Sequence, residues 1–367
     1  MAEVFSSRQT YMAWLRVDRI REGHVFDISD NRGNVGSTRL DLDLDRELRT
    51  GGTWGKFLDE YREGKYAPSP ADLAAFGEDL RRWLFDGDLA VAWHGIQQAR
   101  SGQALHLTVE FGVNAEDVQS LPFELLKQDG AFLFVEPGSA VMRTFRGVPA
   151  RVEPISPELG VLFAWACPPG CVPFDPAPHI AALRTALGED RVTVVAAATL
   201  DAIDAALTPG KFAGLHVMAH GFVEGSTSGV VLHDRDGLPD TVTGQALAQR
   251  IRGRGVALAF LCACQSAVGT GMTGTGQHLL SPGGADLPWV VATQGNLAVA
   301  GSATLVERFY RLLRDRGDPG AALGQARRDA WSEATHYWSV PVLLCRPELR
   351  AGAAFRAAAI LRDRPAA

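Results

Sequence analysis

The sequence predicts an α/β protein: a mostly parallel central sheet flanked by helices, with an N-terminal α+β extension. Two observations carry that prediction. From about Leu159 the chain alternates strand-like and helix-like runs, GVLFAWA, HIAALRTAL, RVTVVAAA, LDAIDAAL and AGLHVMA, and repeated alternation of this kind builds a parallel sheet covered by helices. Just before it, RGVPARVEPISPE is rich in proline and charge and places a boundary near residue 150. The expected organisation is an N-terminal α+β region over residues 1–150, of which 1–72 is an extension, a core over 151–350 and a tail over 351–367.

In chain order, RLDLDLDR from Arg39 to Arg46 alternates leucine with aspartate, as a half-buried strand does, and its acidic row reads as a solvated face. Ser69 to Phe85 opens with Ser-Pro and repeats apolar residues at helical spacing, which predicts a capped amphipathic helix. Strands are expected around Leu105 to Phe111 and Phe132 to Val135. After the alternating stretch come a helix from Thr243 to Ile251, strands at Gly255 to Cys262 and Leu287 to Ala292, two helices between Ala303 and Trp331, and a strand from Val340 to Cys345. The tail from Arg350 reads as a short Ala/Arg helix. No internal repeat is evident.

Composition narrows the function classes. With 36 Lys plus Arg against 42 Asp plus Glu, the net charge of −6 argues against a nucleic-acid partner, which would need a basic surface. The longest apolar run, Gly255 to Cys264, is far short of the ~18 residues a membrane span needs. The start, MAEVFSSRQTYMAWLRVDR, has no secretory-signal pattern, and five cysteines are an odd number that suits reduced thiols, so a cytoplasmic location is expected.

Two strand ends stand out for chemistry: LHVMAHG, closing with His220 and Gly221, and AFLCACQSA, closing near Cys264. In an open parallel sheet, ligands gather at the carboxyl edge, so neighbouring strands would bring His220 and Cys264 face to face. A free thiol with pKa ~8.5 is only a few per cent thiolate at neutral pH, and an adjacent imidazole corrects that and then protonates the leaving amine. The N–H groups of Gly221 and Cys264 are the candidate oxyanion donors.

His216, His220, Cys262 and Cys264 are also zinc-ligand types. However, four residues along a strand span ~13 Å, so His216 and His220 cannot converge on one ion, and no metal is expected. A Cys262–Cys264 disulfide would lie at the limit of allowed geometry. The Cys167-Pro-Pro-Gly-Cys171 turn reads as a rigid loop at a strand end. GTGMTGTG from Gly269 matches GxGxxG without the GK[ST] of a phosphate loop, so Gly269 to Gly284 is expected to be a mobile loop beside the site rather than part of a nucleotide switch.

HVMAHG, followed 44 residues after His220 by the Cys264 of FLCACQSA, resembles the CHAT-domain cysteine peptidases, relatives of caspases and separases. The choice of Cys264 over Cys262 comes from this match. LPFELL at Leu121 to Leu126 is similar to the family's LPWELL, and VMRTF to its apolar-Arg strand; VVATQ, ERFYRLL, ALGQARRDA and YWSVPVLLCR follow in the family's order. The resemblance spans roughly Leu73 to Arg346. It implies a caspase-like sandwich and cofactor-free peptide hydrolysis through a thioester, with His220 and Cys264 as the dyad. It also implies a protein substrate, an activating or sensor protein partner, and a regulated effector role in prokaryotic defence or cell death. The chain departs from the family at TQGNLAVAGSA, where Val299 stands near an expected acid. Asp286 and Asp175 are loop carboxylates of the kind that receives a basic substrate side chain, and on the plainer reading they are solvated loop residues. The competing class is a non-catalytic module that keeps the fold and binds a partner.

Overall fold

The computed structural model describes residues 10–20, 23–40, 53–63, 68–112, 115–148, 160–268, 273–297, 299–332 and 335–346. The chain opens with a three-stranded meander, β1 (Tyr11–Ile20), β2 (Gly23–Asp30) and β3 (Val35–Leu40), followed by helices α1 (Thr53–Glu63), α2 (Pro70–Leu84) and α3 (Gly87–Arg100). Next come β4 (Leu105–Phe111), the one-turn α4 (Glu116–Gln119), the two-residue strands β5 (Lys127–Gln128) and β6 (Ala131–Phe132), and β7 (Ala140–Phe145). The alternating part supplies β8 (Val161–Trp165), α5 (Ala177–Leu187), β9 (Val192–Val195), α6 (Leu200–Ala206) and β10 (Gly214–Met218). A small antiparallel sheet, β11 (His220–Glu224), β12 (Thr227–His233) and β13 (Pro239–Thr243), leads into α7 (Gly244–Ile251) and β14 (Leu258–Cys262). The last elements are α8 (Thr275–Leu280), β15 (Trp289–Thr293), α9 (Val299–Arg316), α10 (Pro319–Ala330) and β16 (Pro341–Cys345).

Eleven strands form one sheet in the order β3-β2-β1-β4-β7-β16-β15-β14-β10-β8-β9. Seven of its ten neighbouring pairs are parallel, so the expected mostly parallel α/β architecture is what the chain adopts. The sheet crosses residue 150 without a break, because β16 pairs with β7 on one side and β15 on the other. Successive side chains leave a strand on opposite faces. Leu215, Val217, Ala259 and Leu261 thus fill one core, while Phe163, Met218 and Phe260 fill the other with Leu183 of α5 and Phe309 and Tyr310 of α9. No described helix is long and apolar enough to cross a membrane.

Several sequence expectations are met element by element. Ser69 caps α2 through a capping box, its hydroxyl accepting from the Asp72 N–H while the Asp72 carboxylate accepts from the Ser69 N–H. Others are corrected. Phe132 to Val135 is not a strand: β6 stops at Phe132 and Leu133–Val135 is a 3-10 turn, since β5 offers it only two residues to pair with. Within the expected mobile loop, residues 275–280 are α8, with Thr275, Gly276, Gln277, Leu279 and Leu280 buried. Residues 269–272, most of the Asp-Leu alternation from Arg39 to Arg46, and the tail beyond 350 lie outside the described residues.

A buried polar network ties the two parts of the sheet. Glu124, in a 3-10 turn, is ion-paired to Arg143 of β7, and the Arg143 guanidinium also donates to the carbonyls of Gln119 and Leu121 and to Gln294 Oε1. Gln294, just past β15, in turn donates through Nε2 to Glu124 and to the Ser339 carbonyl. Arg327 of α10, 3.8 Å from the same carboxylate, is pushed down to about 10 by burial, which Glu124 offsets in part.

His336 packs its ring against Tyr61 with 3% of its surface exposed, and neither ring nitrogen has a partner among the described residues. Burial lowers its pKa below the usual histidine value. Below pH ~6.5 the unfolded chain therefore takes up a proton that the folded chain refuses, and stability falls as pH falls, with a slope of at most about 1.4 kcal/mol per pH unit for this group. Urea unfolding between pH 7 and 5 is expected to show a shallower decline in His336→Gln than in the parent chain. Equal slopes would remove His336 from the explanation.

Candidate active site

β10 and β14 are adjacent and parallel, in a register that sets His216 opposite Phe260 and Met218 opposite Cys262. The pairing expected from the two sequence motifs is present, and both motifs end at the carboxyl edge of the sheet. Past Met218 the Ala219 N–H still reaches the Cys262 carbonyl, and then the chain leaves the large sheet. His220 accordingly belongs to β11 of the small sheet and not to the strand that carries His216 and Met218. The motif hid this change because its residues run on without a break in polarity.

Gly221 lies directly against the Cys264 backbone. A methyl group built there would stand 2.0 Å from the Cys264 carbonyl oxygen and 3.0 Å from its nitrogen. The glycine is thus required by close approach of two backbone segments. Cys264 itself opens a tight turn in which Gln265 has φ 56°, a left-handed conformation that costs a non-glycine residue energy and persists where the surroundings fix it. Those surroundings are main chain and hydroxyls. Gln265 and Ala267 donate N–H groups to the carbonyls of Gly295 and Thr293, and the Ser266 hydroxyl accepts from the Thr293 N–H.

His220 and Cys264 line one cavity of about 510 Å³, together with Val172, Phe174, Asp175, Met218 and Leu297. Each of these residues lies on, or just beyond, the carboxyl end of β8, β10, β14 or β15. The His220 Nε2 lies 2.8 Å from the Val172 carbonyl oxygen, which can only accept, so Nε2 carries the hydrogen and Nδ1 keeps the lone pair of the neutral ring. Phe174 packs beside the imidazole at 5.5 Å between ring centres. Burial pushes the Cys264 thiol up, and the N–H groups of Leu297 and of Cys264 itself pull partly against it. The resting sulfur is therefore a thiol, and a base must take its proton for it to attack.

The two candidate carboxylates fare differently. Asp175 lines the cavity, with one oxygen accepting from the Ala177 N–H. Asp286 does not. It precedes β15, which runs parallel to β14, so it sits at the opposite edge of the sheet from Cys264, and it is paired there with Arg346. Nothing is described of the Val299 side chain.

A family model described as the CHAT domain matches residues 75–346, more than half of the chain. The protein belongs to the CHAT domain family. No curated protein matches it. Among solved structures, the Arg-specific cysteine proteinase gingipain R shares 10% identity at a TM-score of 0.46, over 76% of this chain and 75% of that one. The complex of the pro- and mature domains of Porphyromonas gingivalis RgpB gives 10% identity and a TM-score of 0.44, over 83% and 74%. The Saccharomyces cerevisiae separase–securin complex gives 10% and 0.47; this chain is covered over 91%, whereas only 30% of that chain is spanned.

Within this CHAT domain, two groups at the site were invisible to sequence reasoning: the Val172 carbonyl on His220 and the Leu297 N–H on Cys264. Both are main-chain groups, which every residue carries. The one available signal was the CPPGC turn: Gly170 at φ 87° and the Cys171 N–H bonded to the Pro168 carbonyl shape the loop that presents Val172. Gly221→Ala forces β11 and the Cys264 turn apart. Any turnover measured for the parent chain is expected to fall about 100-fold, the usual loss when reacting groups shift by about 1 Å. Unchanged turnover would show that this close approach does not set the site.

Proposed function

We propose that this CHAT domain is a cysteine endopeptidase in which Cys264 is the nucleophile and His220 the general base and acid. The observation that carries the reading is the convergence of both side chains on one cavity, with His220 Nε2 held by the Val172 carbonyl. In the reaction, Cys264 Sγ bonds to the peptide carbonyl carbon as its proton passes to His220 Nδ1. Collapse of the tetrahedral intermediate breaks the C–N bond, and the same proton goes to the leaving amine. Water, deprotonated by His220, then hydrolyses the thioester and the thiol is restored. The N–H groups of Gly221 and Cys264 are assigned to the developing oxyanion, and Asp175 to a basic substrate side chain.

The raised thiol pKa supports a resting enzyme of low reactivity, which suits a chain switched on by a protein partner. The regulated defence or cell-death role belongs to the same proposal. The test exposes the purified chain to peptide electrophiles and compares newly formed protein N-termini in cells expressing the parent chain or Cys264→Ala. The expected result is an adduct on Cys264, rather than on Cys167 and Cys171, which are half-buried as Cys264 is, and cleavages that vanish with the substitution. No adduct and identical N-termini, with candidate partners co-expressed, would favour the non-catalytic scaffold.

A further inference from the structure

At the inner wall of the cavity, three ligand-type side chains that the proposed reaction does not use come together. His179 arrives from α5, His216 from β10 and Cys262 from β14, each offering one donor atom, and the three atoms lie within 4.8 Å of one another. The strand-spacing objection to a metal applied to His216 with His220. It does not apply to His179, which reaches the sheet from a helix packed on its face.

The surroundings resemble those of a ligand set. The second ring nitrogen of each histidine meets a hydroxyl: His179 Nε2 lies 2.9 Å from Ser302 Oγ, and His216 Nδ1 lies 3.2 Å from the Tyr310 hydroxyl. Partners of this kind fix ring orientation in metal sites. His179 Nδ1 stands 3.9 Å from Cys262 Sγ, where two ligands of a tetrahedral zinc would be about 3.6 Å apart. The independent observation is His216 Nε2. The histidine is fully buried, yet this nitrogen has no partner among the described residues, a costly state for a buried polar atom.

We propose that His179, His216 and Cys262 bind a zinc ion. Two imidazoles and a thiolate are the donors of a borderline divalent ion, and zinc takes three protein ligands and leaves a fourth position for water. His179 and Cys262 line the cavity while His216 lies deeper, so the fourth position opens onto the cavity, which is also the route of entry. On binding, the Cys262 S–H bond breaks, the Zn–S bond forms and the proton passes to buffer. The ion clamps α5 to β10 and β14.

The site is independent of the proposed nucleophile, and the test keeps the two separate by using the full chain with Cys264→Ala throughout. The metal-free protein is titrated with Zn²⁺ against a chromophoric chelator and, separately, with Co²⁺. The expected results are one ion per chain, a thiolate-to-cobalt charge-transfer band with tetrahedral visible bands, and a rise in melting temperature on loading. Adding Cys262→Ser or His179→Asn should weaken zinc binding at least about 100-fold, and Ser302→Ala or Tyr310→Phe, which spare the ligands, about 10-fold. Adding His220→Ala should leave affinity within about threefold. Absence of the thiolate band, or binding that survives Cys262→Ser but is lost with His220→Ala, would overturn the site whatever the fate of the peptidase reading.

Discussion

Cys264→Ala is expected to lower kcat/KM for peptide hydrolysis by about 10⁵- to 10⁶-fold, and His220→Ala by about 10²- to 10⁴-fold, with melting temperatures close to the parent value. Alanine keeps the Cβ at position 264, and the turn around it is held by main-chain groups and by Ser266 and Thr293 rather than by the sulfur. The fold should therefore not register the change. The two substitutions together should be no worse than Cys264→Ala alone, because an acceptor of protons has nothing to do once the nucleophile is gone. The loss for His220→Ala should fall mainly on kcat, since in the proposed reaction the ring acts on the reacting bond. The measurement is steady-state cleavage of a fluorogenic peptide by the parent chain and its variants, and activity within tenfold of the parent in Cys264→Ala would refute the assignment.

The second large effect concerns stability. Glu124→Leu strands Arg143 and Arg327, both buried, beside no carboxylate, and should cost about 3–5 kcal/mol in denaturant unfolding. Glu124→Leu with Arg143→Met should cost less than Glu124→Leu alone, because the second change removes one of the stranded cations. Additive losses would show that the pair contributes only through packing. This network also gives a physical reason for the LPFELL and VMRTF motifs. Their glutamate and arginine meet in the interior, where each satisfies the other and joins Gln294 from the far half of the sheet.

How much was readable in advance follows the regularity of the local pattern and, for the site, the loops and edges that only the topology fixes. Local periodicity placed β8, α5, β10, α7, β14 and α10, and the polar ends of two apolar strands located His220 and Cys264 at one sheet edge. The three-stranded meander at Tyr11–Leu40 and the small sheet that takes His220 were missed although both are closed by short hairpin turns, because β1 opens with apolar residues on both faces and β11 is half-buried along most of its length, so neither shows the apolar–polar alternation of a strand. Asp286 was misplaced for a related reason: a loop carboxylate looks the same in sequence whether it precedes or follows a strand, yet in a parallel sheet those are opposite edges. His179 could not be matched to Cys262, 83 residues away, without knowing which face α5 covers.

The place of β16 has a consequence for how the molecule is made. It is the last strand of the large sheet to be synthesised, yet it lies between β7 and β15 at the sheet's centre. Without β16 the sheet divides into two sets of five strands, and the facing edges of β7 and β15 have no neighbour. Such edges pair readily with stray strands. Closure by Pro341–Cys345 joins segments about 200 residues apart in sequence, a slow step in a topology dominated by distant contacts. The sheet is therefore complete only once β16 has joined both halves.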